Sequence, residues 1–323
     1  MICDRRELLA LTVAMLPALS GRAFAQTYPT RPVHLVVGFP PGGGTDLIAR
    51  LMGQALSERM GQPFVIENRP GAGTNIATEA VVRAPADGYT LLYVTAGNTI
   101  NATLYDKLNF NFQRDIVPVA GLVRLASVMV VNPSFPAKTV PEFIAYAKAN
   151  PGRINMASAG TGNASHVSGE LFKMLAGIDM VHVPYRGGAA ALQDLIGGQV
   201  HVMFDAIGNS LEHIRHHVVR PLGITTAKRN DALPDVPAIG EFVPDYETSV
   251  WYGIGVPKDT PATIVERLNR EINSALNDPK VRSRFTDMGG TIIGGTPGEF
   301  GALVATETEK WAKVVKFSGA KAD

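Results

Sequence analysis

Val33-His34-Leu35-Val36-Val37-Gly38-Phe39-Pro40-Pro41-Gly42-Gly43-Gly44-Thr45-Asp46 is the stretch from which the fold can be read. Five mostly apolar residues predict a buried strand. The glycines and prolines that follow predict a turn, and Asp46 predicts the opening of a helix. A helix start leaves backbone N–H groups unpaired, and glycines let a small anion approach them without a Cβ in the way. No lysine or arginine stands between Gly38 and Ala49. An anion held here would therefore be stabilised by N–H groups and the helix dipole.

Outward from this stretch, Leu47, Ile48, Leu51, Met52, Ala55 and Leu56 share one face of a helix reaching Met60, and a strand is predicted from Pro63 to Glu67. This is one βαβ unit. A second glycine-rich turn, Asn68 to Asn75, enters a helix over about 75–84, and a strand follows from Thr90 to Thr95. Val117 to Val131 reads as strand passing into strand, a crossing into a second lobe. There the alternation restarts with helix 141–149, strand 154–157, the loop Gly160 to Ser165, helix 166–176 and strand 180–183. Helix 189–196, strand 200–204, a helix after Asn209 and strand 220–225 complete it. A second apolar run, Ser249 to Val256, marks the crossing back. Helices 261–277 and 279–288, strand 291–293 and a final helix from Pro297 to about Phe317 then rejoin the first lobe.

The expected fold class is therefore α/β, with two lobes, each a central sheet flanked by helices, joined by two hinge crossovers. A chain of this length exceeds the usual single core, as two lobes require. The expected boundaries are 26–124 plus 249–323 for lobe 1 and 125–248 for lobe 2. Ligands of open α/β sheets bind beyond the carboxyl ends of the strands, so glycine loops of both lobes should face one cleft.

Residues 1–25 carry Arg5-Arg6, an apolar run from Leu8 to Leu19 and Ala23-Phe24-Ala25, the pattern of a secretory signal peptide. The paired arginines leave both the general and the twin-arginine export routes open. The sole cysteine, Cys3, lies within that leader, so the exported chain has no disulfide, no thiolate nucleophile and no cysteine metal site. Removing the leader leaves 27 basic and 27 acidic residues, a balance that argues against nucleic acid or an anionic membrane as partner.

The competing class is a nucleotide-binding enzyme, with Glu67 at a strand end about 20 residues past the loop, where a dinucleotide site has its acidic residue. The loop has neither G-x-G-x-x-G spacing nor a P-loop lysine, and Ser158 and Ser165 lack a G-x-S-x-G setting for hydrolysis. His213, His216 and His217 have helical i, i+3, i+4 spacing but no zincin glutamate, and no metal or cofactor is expected.

Several segments together resemble the periplasmic receptors of tripartite tricarboxylate transporters, the Bug or TctC proteins. They are Tyr28 to Pro32, Phe39-Pro40-Pro41-Gly42-Gly43 with Asp46, Glu67 to Gly73, Ala86 to Leu91, Gly160-Thr161-Gly162, His182 to Gly187, Phe204-Asp205, and Trp251-Tyr252-Gly253 with Pro257. The resemblance covers essentially the whole exported chain. It implies a type II periplasmic-binding-protein fold that closes on a small carboxylate held by backbone amides, hydroxyls and waters rather than by an arginine clamp. It also implies a periplasmic location and delivery to a transporter with two integral membrane subunits; the receptor itself is expected to be a monomer.

On this reading Phe39, Gly42, Gly43, Gly44 and Thr45 line the lobe 1 side, with N–H donors from Gly43 and Gly44 and a hydroxyl from Thr45. Asp46 either orders that loop or touches ligand. Thr95, Gly97 and Asn98 form a further wall. Thr161, Gly162 and Ser165, with His166 close by, complete the grip from lobe 2. Asp205, at a strand end, either accepts a donor from an amino-bearing or hydroxylated ligand or bonds to its own loop. Arg186, beside Gly187, either is solvated or turns inward to a second ligand carboxylate. Trp251 and Tyr252 serve either ligand stacking or hinge and core packing.

Overall fold

The computed structural model describes residues 28–322; the signal peptide expected at 1–25 and Cys3 lie outside them. The first sheet takes β1 (Val33–Val37), β2 (Phe64–Asn68), β3 (Thr90–Thr95), β4 (Ile116–Leu125), β10 (Val250–Pro257) and β11 (Gly290–Gly294) in the order β11-β4-β10-β3-β1-β2. β1 runs parallel to β2 and β3, as βαβ units require, whereas β10 is antiparallel to β3 and β4, and β11 to β4. The second sheet takes β5 (Ser127–Val131), β6 (Asn155–Ser158), β7 (Val181–Pro184), β8 (Val202–Ala206) and β9 (Arg220–Ile224) in the order β7-β6-β8-β5-β9, with β6 parallel to β7 and β8. Both sheets are thus mixed, each flanked by helices as the sequence pattern implies. The long apolar stretches 117–131 and 249–256 are the antiparallel strands.

β1 shows why the opening stretch is diagnostic. Val33, Leu35 and Val37 point into the core beneath α1 (Gly44–Met60), and Val36 points to the opposite core beneath α2 (Asn75–Val82). A strand covered this far on both faces is apolar at every position but the exposed His34. The turn after it is equally constrained, because a Cβ at Gly38 would stand 2.6 Å from Thr74 Cβ. β1 can end there only as glycine.

The remaining helices are α3 (Ala96–Leu104), α4 (Phe112–Asp115), α5 (Val140–Ala149), α6 (Ala164–Ala176), α7 (Gly188–Ile196), α8 (Ile207–Arg215), α9 (Ala262–Leu276), α10 (Pro279–Asp287) and α11 (Pro297–Ser318). α3 has no counterpart in the sequence reading, since Gly97, Asn98, Thr99, Asn101 and Thr103 are poor helix formers. Tertiary bonds hold it instead: Asn98 Nδ2 donates to Thr78 Oγ1 (2.8 Å), and Asn101 Nδ2 to Gly73 O (2.5 Å) and Asn75 Oδ1 (3.0 Å). α8 ends at Arg215, and His217 has φ +56°, so the three clustered histidines do not share one helical face.

The two sheets are joined where β4 passes through Ala126 into β5 and where the chain returns from β9 to β10. β4 and β10 lie side by side, Leu125 opposite Val250. Ser127 N donates to Thr225 Oγ1 (3.0 Å), and Arg124 pairs with Glu247 at 2.8 Å. α11 belongs to both halves: Phe300 and Val304 pack under the first sheet with Trp251, and Trp311, Val314 and Val315 join the core of the second.

Candidate functional site

Between the sheets lies a cleft of about 580 Å³. Six helices, α1, α2, α3, α6, α7 and α8, begin at or beside residues that line it: Thr45, Thr74, Ala96, Ala164, Gly188 and Ala206. No lysine, arginine or histidine lines it, and Asp205 is its one acidic side chain. The positive ends of six helix dipoles therefore stand at or beside a cavity whose lining has no basic residue. Two smaller hollows, of about 280 and 240 Å³, lie outside it along α1, α9 and α10 and beside α11.

From lobe 1, Phe39, Thr45, Thr95 and Gly97 reach the lining, but Gly42, Gly43, Gly44, Asp46 and Asn98 do not. The three loop glycines are exposed, outside that lining. Asp46 is the cause of that arrangement. Its carboxylate accepts from Gly42 N (2.9 Å), Arg50 Nε (2.7 Å) and Asn68 Nδ2 (2.9 Å), and Asn68 also donates to Phe39 O (3.0 Å). Burial pushes the Asp46 carboxyl up, and the bonds from Arg50, Gly42 and Asn68 outweigh it, holding it at about 2. Of its two expected roles, Asp46 takes the loop-ordering one. Asn98 likewise stands behind the wall, its Oδ1 accepting from Thr95 N at 2.8 Å.

From lobe 2, Thr161, Gly162, Ser165 and Asp205 line the cleft, and His166, Arg186 and Gly187 do not. Ser165 Oγ accepts from Ala159 N (2.9 Å), and Asn163 Oδ1 caps α6 by accepting from Ser165 N (3.1 Å). Gly162 N donates to His166 Nδ1 (3.1 Å), which requires that nitrogen to be unprotonated. Behind the loop the rings of His166 and His182 stack 3.7 Å apart, and His182 Nε2 meets Ser158 Oγ at 2.6 Å. Burial drives His166 down to about 3, aided by His182 and Lys173, and His182 to about 4, aided by Lys173. His166 is thus a neutral acceptor that shapes the loop. Gly162 itself has φ +74°, and a Cβ there would come within 2.2 Å of Leu104 Cδ2 on α3, so the two walls of the cleft touch at this point.

Arg186 is exposed, makes no hydrogen bond or ion pair among the described residues, and stands outside the lining. Its neighbour Tyr185 is tied to Asp194 Oδ2 at 2.7 Å. The aromatic pair divides. Trp251 is fully buried and donates through Nε1 to Glu307 (3.2 Å), whereas Tyr252 lines the cleft, stacks on Tyr93 and meets Thr45 Oγ1 at 3.2 Å. Adjacent residues of a strand face opposite sides, a period-2 signal that separates these two roles. Asn101, Leu104, Tyr105, Ser127, Asn209 and Val250 also line the cleft and were missed from the sequence. Three of them sit on or directly beside the unforeseen α3, and two at the crossing strands.

The chain matches the family model described as "Tripartite tricarboxylate transporter family receptor", TctC, over residues 48–319. It belongs to that family. Among TctC relatives, the protein BugT of Bordetella pertussis is 36% identical over 300 residues, 92% of each chain. The structure of Rpa4515 from R. palustris with adipate is 38% identical, with a TM-score of 0.80, covering 91% of this chain and 99% of that one. MatC from Rhodopseudomonas palustris with bound malate is 34% identical, with a TM-score of 0.77, covering 89% and 100%. The fold is accordingly that of the type II periplasmic binding proteins, and the TctC family is one of receptors. No helix among the described residues is long and apolar enough to cross a membrane.

Proposed function

We propose that this TctC-family chain is an exported, non-catalytic receptor that closes on a small carboxylate and delivers it to a two-subunit integral membrane transporter. The observation that carries the reading is the convergence of six helix N-termini on a cleft without a basic side chain, which favours a small anion held by backbone groups and hydroxyls. Adipate and malate in two relatives of known structure support the ligand class. The signal-peptide pattern at residues 1–25 supports a periplasmic location. The receptor acts as a monomer whose lobes, 26–124 with 249–323 and 125–248, close by differential affinity for the closed state. The ligand meets Phe39, Thr45, Thr95 and Gly97 on one wall and Thr161, Gly162, Ser165 and Asp205 on the other.

A melting experiment against mono-, di- and tricarboxylates, amino acids and aromatic acids tests this. A true ligand stabilises by RT ln(1 + L/Kd), with L its free concentration, or about 2.7 kcal/mol at one hundred times Kd. No shift with any carboxylate, beside a shift with a cation or neutral sugar, overturns the proposal.

A further inference from the structure

Asp205 differs from Asp46 in one respect that bears on which acid fits. Both are buried carboxylates at the start of a helix, Asp46 in the first turn of α1 and Asp205 two residues before α8. Asp46 is neutralised by Arg50 and stands outside the cleft lining. Asp205 lines the cleft, and its bonds come from neutral donors: Ser210 Oγ at 2.7 Å, Asn209 Nδ2 at 3.2 Å and the backbone N–H of Ala206. No cation pairs with it among the described residues.

A carboxylate at this place has two consequences. It occupies the positive end of α8 itself, so of the six helix starts around the cleft this one is least suited to a second anion. It also holds acceptor capacity that its three donors do not fill, since an ionised carboxylate offers about four lone-pair sites. A ligand carboxylate beside Asp205 would face like charge in a confined, partly dehydrated space, whereas a ligand O–H or N–H would find an acceptor. Burial raises the Asp205 carboxyl, the mark of a charged form short of compensating partners.

Building on the carboxylate-receptor reading, we propose that Asp205 sets ligand choice. The cleft prefers a monocarboxylate bearing a hydrogen-bond donor at its far end, hydroxyl or ammonium, over the dicarboxylate of equal length. The ligand carboxylate then lies toward the helix starts whose lining carries no acid, such as those of α3 and α6, and the donor lies on Asp205.

Titration calorimetry of the exported chain with length-matched acids tests this: glutarate against 4-hydroxybutyrate and 4-aminobutyrate, and adipate against 6-hydroxyhexanoate and 6-aminohexanoate. At the length that binds best, a donor-bearing acid should bind at least tenfold more tightly than its dicarboxylate. Asp205→Asn, which keeps shape and hydrogen bonding but removes the charge, should cut that ratio at least tenfold and tighten the dicarboxylate. The wild-type comparison stands even if the variant fails to fold. A dicarboxylate that binds as tightly as its donor-bearing partner, or a ratio unchanged in Asp205→Asn, overturns this proposal and leaves the receptor reading intact. Absence of binding by every carboxylate tested overturns both.

Discussion

Asp46 carries more of the lobe 1 wall than any residue that touches the cavity. Three donors converge on it, and one of them, Asn68, in turn fixes Phe39. Asp46→Ala should cost about 1–2 kcal/mol of stability at pH 7, a modest figure because Arg50 is half exposed and Gly42 can bond to water. Ligand affinity should fall with it, while the rank order of ligands is kept. The acid response gives a second readout. The folded carboxyl titrates at about 2, below its unfolded value, so its contribution is full above that unfolded value and is lost as pH falls from about 5 towards 2. Urea titrations of wild type and variant at pH 7 and pH 3 should show a gap that narrows in acid. A gap of equal size at both pH values would mean that the carboxylate charge has no part in holding the loop. The sequence already offered the two roles for Asp46 by its position at a helix start. Which role it fills depends on Asn68, 22 positions away, and no spacing rule links the two.

At the scale of elements, the β6–α6 loop depends on a histidine pair that no local pattern reveals. His166 and His182 are 16 residues apart, on α6 and β7, and meet only because β6 and β7 are parallel neighbours. Both are neutral at ordinary pH, with folded values of about 3 and about 4 set chiefly by burial. An unfolded chain takes up these protons near pH 6.5, so stability is full above that value and falls as pH drops through it, levelling off below about 3. Between pH 7 and pH 5 the loss should be about 1–3 kcal/mol, well above the window in which Asp46 titrates. Glu170, facing His166 at 3.7 Å and Lys173 at 3.1 Å, opposes this in stronger acid, because burial raises its carboxyl and the folded state accepts that proton more readily. His166→Asn should flatten the pH 7-to-5 slope in a denaturant series, and a variant as acid-sensitive as wild type would exclude the pair as its source. α3 shows the complementary limit of the sequence. β1, α1 and the hinge strands were legible from apolar periodicity, but α3 is built on Asn98 and Asn101 bonds to a different loop and has no periodic signal to read.

Across the whole molecule, the two sheets are coupled by more than the paired strands β4 and β10. α11 spans both halves, and its 22 residues place Phe300 and Trp311 about 16 Å apart along the axis. Phe300 packs edge-on against Trp251 under the first sheet, and Trp311 is buried in the core of the second, its Nε1 donating to the Glu307 carboxylate that also receives Trp251. Removing either aromatic should cost about 3–5 kcal/mol through lost burial and the cavity left behind. If the lobes unfold as one unit, Phe300→Ala and Trp311→Ala each lower the same calorimetric transition, by roughly 2–4 °C per kcal/mol for a chain of this size. Their costs should depart from simple addition by about 0.5 kcal/mol or more, since Phe300 packs on Trp251, and Trp251 and Trp311 share the Glu307 carboxylate. Two separate transitions in either variant, with only one displaced, would instead mean that each lobe folds on its own and that α11 is anchored in one of them alone. The single-unit outcome is the one the geometry favours. Arg124 pairs with Glu247 across the crossing strands, and that bond is lost if one lobe leaves the other.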